Sequence, residues 1–347
     1  MNDGHLLMDV SEIARDSLPN GLELLGFVQN NYVPVSTECF PLLEEAVSVK
    51  LLKGKLFLKV MSGRVDLFIK IIPKSIPDGF VLERYFREHY EDVRSVSVRC
   101  NGYFSSRFFY GFIYESLADL QKTEDRFLEC IDSIAKINNS RDPRKKSKSL
   151  FPELVSNYKK RKQLFMSRSV ALAGTIYRFY TKDSMIERAL SGIEEFVKSF
   201  DRYASAVSSI LLVFSHGDAH TKNIMEDDLG GVKFIDWDEF GFLPVGADLA
   251  RLFHRQDILS VLGLDKSFDR IFMLLARYER ELDISALDTK LLQFSFFYHV
   301  ALLNITDVSR APTNRQVNFI VNSIEQANKL YRLLNPSINI AHPPLSG

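Results

Sequence analysis

The chain has 347 residues, 46% of them hydrophobic, which is enough for one or two packed cores. Lys plus Arg and Asp plus Glu number 44 each, so no basic excess points to nucleic acid or an anionic membrane surface as a partner. Three scattered cysteines, Cys39, Cys100 and Cys130, fit a reducing compartment, and neither a secretory leader nor a bilayer-spanning apolar run is present, so the expected location is the cytoplasm with no membrane and no obligate protein partner.

The first half reads as strands with one helix. Val47–Leu52, Leu56–Met61 and Val65–Ile72 are apolar runs of strand length, separated by Lys53-Gly54-Lys55 and Ser62-Gly63-Arg64, which suit tight antiparallel turns. A helix is predicted over about Gly79–Glu91, then strands at Ser95–Tyr103 and Arg107–Tyr114. From Leu117 onward the pattern turns helical, with Phe127, Ile131, Ile134 and Ile137 at helical spacing. The basic run from Arg141 to Lys148 reads as a solvated loop rather than a phosphate- or partner-binding patch. Two or more helices are predicted over 152–206, and strand character returns at Ile210–Phe214 and Val232–Ile235. Residues 247–334 are helical again, with Met273, Leu274, Leu275, Leu282, Leu291, Leu292, Phe296, Phe297, Leu302 and Leu303 as candidate core. The tail after Asn335, with Pro336, Pro343 and Pro344, is predicted to be irregular.

The chemistry concentrates at two strand ends. Ser215-His216-Gly217-Asp218-Ala219-His220-Thr221-Lys222-Asn223 follows the first, and Ile235-Asp236-Trp237-Asp238 closes the second. Carboxylate and amide oxygens are hard ligands suited to Mg²⁺ on phosphates, and a carboxylate not bound to metal can accept a hydroxyl proton. His216, Asp218 and His220 also permit a zinc-hydrolase reading, although no paired His/Asp motif follows downstream, and His254 and His299 stand alone on apolar helices.

His216-x-Asp218-x-x-x-x-Asn223, Ile235-Asp236-Trp237-Asp238 and Gly246-Ala247-Asp248-Leu249-Ala250, in this order and spacing, resemble the aminoglycoside phosphotransferase/choline kinase-like family. The resemblance runs from about Val47 to Phe253. It implies an α+β, protein-kinase-like two-lobed fold, with residues 1–116 a small β-rich nucleotide-binding lobe and 117–347 a large helical catalytic lobe. It implies transfer of the ATP γ-phosphate, assisted by Mg²⁺, to a hydroxyl of a small molecule: an amino sugar, amino alcohol or sugar. By position, Asp218 matches the catalytic base, Asn223 and Asp236 match the metal ligands, His216 matches a loop-holding residue, and Asp248 matches a buried tie. Asp238 stays open between a loop brace and a site residue. Lys70, in Asp66-Leu67-Phe68-Ile69-Lys70, matches the phosphate-binding lysine, with Lys59 a competitor one strand earlier. Glu83 on the next helix is its expected partner, with Glu88 in reserve. The turn at Lys53-Gly54-Lys55 takes the place of a phosphate-covering loop, and the backbone from Tyr114 to Leu117, Glu115 and Leu117 included, takes the place of the adenine-contacting hinge.

The sequence departs from the family's pattern at Phe68, where a smaller residue usually roofs the adenine, at Lys222, and in lacking a His near Asn138. Acids at Glu279, Glu281 and Asp283 are candidates for meeting a cationic acceptor. A nucleotide-binding pseudokinase is the alternative; a protein kinase is disfavoured because no Ala-Pro-Glu follows Asp236 and the interval to Asp248 is short.

Overall fold

A computed structural model describes residues 46–335 except 53–54, 63–64, 76–77, 106–108, 141–149, 254–255, 265–266, 285–286 and 308–312. The turn at Lys53-Gly54, the basic run at 141–148, the side chain of Glu88, His254 and the tail after Asn335 lie outside the described residues. The described residues form two compact units: those up to Asp119 together with Met225–Asp238, and Leu120–Ile224 together with the chain from Glu239 onward. The predicted boundary at 116/117 thus falls three residues early, and a short hairpin from the second half joins the first unit.

In the first unit, β1 (Ala46–Leu52), β2 (Lys55–Ser62), β3 (Val65–Pro73), β4 (Cys100–Ser105) and β5 (Phe109–Glu115) form an antiparallel sheet in the order β1-β2-β3-β5-β4. Helices α1 (Asp78–Glu88) and α2 (Tyr90–Val93) connect β3 to β4. The predicted order of three strands, a helix and two strands is the observed one. β4 starts later than predicted because the N–H groups of Val96 and Ser97 both bond to the carbonyl of Val93, which makes a turn where a strand was expected. β3 is the central strand, and Ile69, Lys70, Ile71 and Ile72 on its two faces are all buried, so its sequence is apolar on both sides except at the lysine. A second, three-stranded sheet pairs β6 (Ala118–Asp119), β8 (Ile224–Glu226) and β9 (Val232–Phe234). Leu117 therefore does not open the helical region. A two-residue strand comes first, and helix α3 (Glu124–Asn139) begins after Thr123, whose hydroxyl accepts from the N–H of Arg126. A bridge between Ser97 and Phe234 fastens β9 to the α2–β4 connection.

The second unit is helical: α3, α4 (Leu150–Phe179), α5 (Asp183–Lys198), α6 (Phe200–Ser208), α7 (Ala247–Leu252), α8 (Gln256–Val261), α9 (Arg270–Glu281), α10 (Thr289–Asp307) and α11 (Asn314–Leu334). α10 is its axis. Phe294, Phe296, Phe297, Tyr298, Val300, Ala301 and Leu302 are all fully buried, so the helix is apolar all round, as a helix covered on every side must be. Rings of Phe165, Phe196, Phe200 and Tyr298 stack or tilt against one another at 5.3–6.1 Å. Polar groups inside this core bond to their own helix: His299 Nδ1 lies 2.7 Å from the carbonyl of Ser295, and Asn304 donates to that of Val300. Met273 departs from the predicted core. It is 73% exposed, because α9 buries Ile271, Leu274, Leu275 and Tyr278 at i, i+3, i+4 and i+7 and turns the intervening Met273 outward. A two-stranded sheet of β7 (Leu212–Ser215) and β10 (Gly241–Pro244) completes the unit, with Ser215 opposite Gly241. Among the described residues no helix is long and apolar enough to cross a membrane.

Candidate functional site

In the second unit β7 delivers its chain into the loop His216–Asn223. Asn138 at the end of α3 donates to the carbonyl of Phe214 at 2.8 Å and itself accepts from the Tyr278 hydroxyl, so the strand is fixed just before the loop. Gly217 has φ +84°, and a Cβ there would stand 1.9 Å from the carbonyl oxygen of Glu239. Only glycine meets both demands. Asp248, fully buried at the start of α7, accepts from the N–H of His216 at 2.6 Å and of Gly217 at 2.9 Å. Its burial pushes its pKa up to about 6 from the usual 3.8, against the pull of those two N–H groups and of Arg251. Gly246, at φ +89°, turns the chain into α7 so that Asp248 points at the loop.

Asp218 is held by three side chains. Asn223 Nδ2 donates to its backbone carbonyl at 3.0 Å and to Oδ2 at 3.1 Å. Nδ1 of His220 accepts from the N–H of Lys222, which leaves the ring proton on Nε2, 3.4 Å from the same carboxylate oxygen. Arg251, three residues after Asp248 on α7, places Nε 3.0 Å from Oδ1, and its Nη2 lies 3.8 Å from Glu239. Arg251 was missed in the sequence, although its i+3 spacing from Asp248 puts both on one helix face. Asn223 is buried, and its Oδ1 makes no hydrogen bond to the described residues. The zinc-hydrolase reading fails on this geometry. His216 is fully buried with Nδ1 taken by the N–H of Asp218, and among the described residues no three His, Cys, Asp or Glu side chains are grouped to hold a metal.

In the first unit β9 ends at Phe234, and Asp236 follows with φ +61°, alone among the described non-glycine residues in having a positive φ. Asp tolerates this conformation better than most residues, and such an outlier is a mark of functional constraint. The turn after it is fastened by Trp237, whose indole donates to the carbonyl of Phe234 and stacks on Tyr85 of α1 with centroids 4.6 Å apart. Tyr85 in turn donates to Ser97. Lys70 is 4% exposed and its Nζ lies 2.7 Å from one oxygen of Asp236 and 2.7 Å from one of Asp238. Lys59, by contrast, is exposed. Glu83, half-buried on α1, is not the partner of Lys70 in this structure: the two aspartates after β9 occupy the ammonium.

At the end of β5, Glu115 spends its N–H on the carbonyl of Arg99 and its carboxylate on the N–H of Arg99. The N–H of Leu117 makes no hydrogen bond to the described residues. Phe68 is 36% exposed on the Lys70 face of β3 and packs against Phe57 at 5.7 Å. Glu281 and Asp283 are exposed, and Glu279 accepts from the Thr289 hydroxyl.

Asn223 in the second unit and Asp236 in the first each offer an oxygen donor of the kind that suits a hard divalent cation. Residues 190–272, which include Asp218, Asn223, Asp236 and Asp248, match the phosphotransferase enzyme family. The fold is similar to that of an aminoglycoside phosphotransferase from Alicyclobacillus acidocaldarius, at 12% identity over 85% of this chain and 93% of that one, with a TM-score of 0.50. It is also similar to amicoumacin kinase hAmiN, at 11% identity over 94% and 99%, with a TM-score of 0.50. Among curated proteins no sequence matches. The family match covers the stretch that carries the three motifs, and the fold is the one those motifs imply.

Proposed function

We propose that the protein transfers the γ-phosphate of ATP to a hydroxyl group of a small molecule. The observation that carries the reading is the fixed carboxylate of Asp218, bound by the amide N–H of Asn223 while the amide oxygen of Asn223 stays available. One residue thus orients the base and keeps a hard donor for a metal. In the transfer, the acceptor oxygen bonds to the γ-phosphorus as its proton passes to Asp218, the bond from that phosphorus to the β-bridging oxygen breaks, and ADP leaves. Asn223 and Asp236 are the groups that would hold Mg²⁺, which supplies neutralisation of phosphate charge. Lys70 contacts the α- and β-phosphates, and the backbone from Glu115 to Leu117 takes the adenine edge. A fold neighbour, hAmiN, was solved with AMP-PNP, Ca²⁺ and Ami, which supports the use of a nucleotide and a divalent ion on this scaffold. The presence of Asp218, Asn223 and Asp236 in the sequence argues against a binding-only role.

The test is thermal stability with ATP, GTP and ADP, each with and without Mg²⁺, in wild type and Asp236→Ala. A bound nucleotide raises apparent stability by mass action. The expected result is a Mg²⁺-dependent rise that the variant loses. No rise with any nucleotide would end the reading.

A further inference from the structure

We infer that Asp238 is the fixed counter-ion of Lys70, the part for which the sequence nominates Glu83, and that it frees Asp236 to bind metal. The inference rests on the reading of Lys70 as the phosphate-binding lysine. Lys70 is buried at 4% exposure and carries two carboxylate partners at equal distance, 2.7 Å each. These partners are not equivalent. Asp236 is 48% exposed and sits on backbone at φ +61°, whereas Asp238 is 13% exposed. A buried ammonium that loses its only partner is strongly destabilised. If Lys70 relied on Asp236 alone, any event that drew that carboxylate away would strand the charge. With Asp238 beside it, Asp236 can exchange the ammonium for a cation while Lys70 keeps its place against the sheet. Trp237 lies between the two acids in sequence, and its ring is locked on Tyr85, so the two carboxylates leave one rigid turn. This makes Asp238 a positioning residue.

The experiment compares wild type with Asp238→Asn, Asp238→Glu and Glu83→Gln in the full chain by two readouts. One is the rate at which an amine-reactive reagent modifies Lys70, followed by peptide mass spectrometry without nucleotide. The other is the affinity for ADP in the absence of divalent metal, which separates support of Lys70 from any contact of Asp238 with metal. Asp238→Asn is expected to speed Lys70 modification at least about fivefold and to weaken metal-free ADP binding about tenfold, as loss of one partner of a buried pair requires. Asp238→Glu, which keeps the carboxylate, should return both to within about threefold of wild type, and Glu83→Gln should shift either by less than about twofold. Unchanged Lys70 modification in Asp238→Asn, or an effect of Glu83→Gln as large as that of Asp238→Asn, overturns the assignment. If wild type binds no nucleotide, the proposed phosphotransfer falls, while the modification rates still decide which acid holds Lys70.

Discussion

The two acids at the ends of β7 and β9 are held in opposite ways. Asp218 accepts from Asn223 and pairs with His220 and Arg251, and its loop backbone is pinned by Asp248 beneath it. Every one of these partners comes from the loop itself or from α7. Asp236 pairs with Lys70, stands half in solvent, and holds a backbone conformation that costs on the order of 1–3 kcal/mol for a residue other than glycine. A base needs a fixed direction and no change of partner, because its task is to receive one proton along one line. A metal ligand needs to change partner when its cation arrives. On the proposed roles, a clamped carboxylate suits the first task and a half-exposed one suits the second.

The sharpest way to break the contrast is Asp218→Asn. The amide can no longer take the acceptor proton, and kcat is expected to fall roughly 10²–10⁴-fold. The Mg²⁺-dependent stabilisation by ATP should persist, because the residues assigned to the phosphates are untouched. Calorimetry of Mg·ATP binding beside single-turnover assays checks both halves. Loss of nucleotide binding together with turnover would show that the two acids do not have separate tasks.

Much of this division was legible in the sequence, and the limits of that legibility are physical. The spacing from His216 to Asn223, and the position of Asp236 after an apolar strand, are local features. They placed the loop after β7, and Asp236 after β9, where the structure has them. Lys70 stood out because it interrupts an apolar strand just before a helix. Its partner was not found, because an ion pair between residues 70 and 238 leaves no trace in local pattern: helix order favoured Glu83, and the turn after β9 supplied Asp238 instead. β10 escaped because four residues beginning with Gly241 and ending in Pro244 carry no period of their own; pairing with β7 creates the strand. Met273 was read as core because it sits in a run of apolar residues, where only the helical period distinguishes the buried from the exposed face.

The pinning of the Asp218 loop can be sharpened through pH. The folded state holds the Asp248 proton up to about pH 6, whereas the unfolded chain releases it near 3.8. The contribution of this group to stability is fully present below about 3.8, declines as pH rises towards 6, and is flat above it. The decline amounts to roughly 3 kcal/mol by linkage. At neutral pH the buried carboxylate is therefore a net cost, retained because it meets the N–H groups of His216 and Gly217. Denaturant unfolding at a series of pH values, in wild type and Asp248→Asn, should show the variant losing that part of the slope. An identical slope in both proteins would mean that another buried acid is responsible.

The smallest effect concerns the turn that carries Asp236. Tyr85→Phe keeps the stack on Trp237 and removes only the hydroxyl that donates to Ser97 at 3.0 Å. Ser97 also bridges to Phe234, so this hydrogen bond ties α1 to the strand from which Asp236 emerges. Loss of one buried hydrogen bond, with Ser97 still donating to the carbonyl of Val98, is expected to cost about 1 kcal/mol in denaturant unfolding. Nucleotide affinity should change less than about threefold, because the ring contact and not the hydroxyl sets the direction of the turn. Replacement of Trp237 by Leu removes the ring contact instead and should weaken Mg·ATP binding by more than Tyr85→Phe does. If the two variants bind Mg·ATP equally, the stack has no part in aiming Asp236.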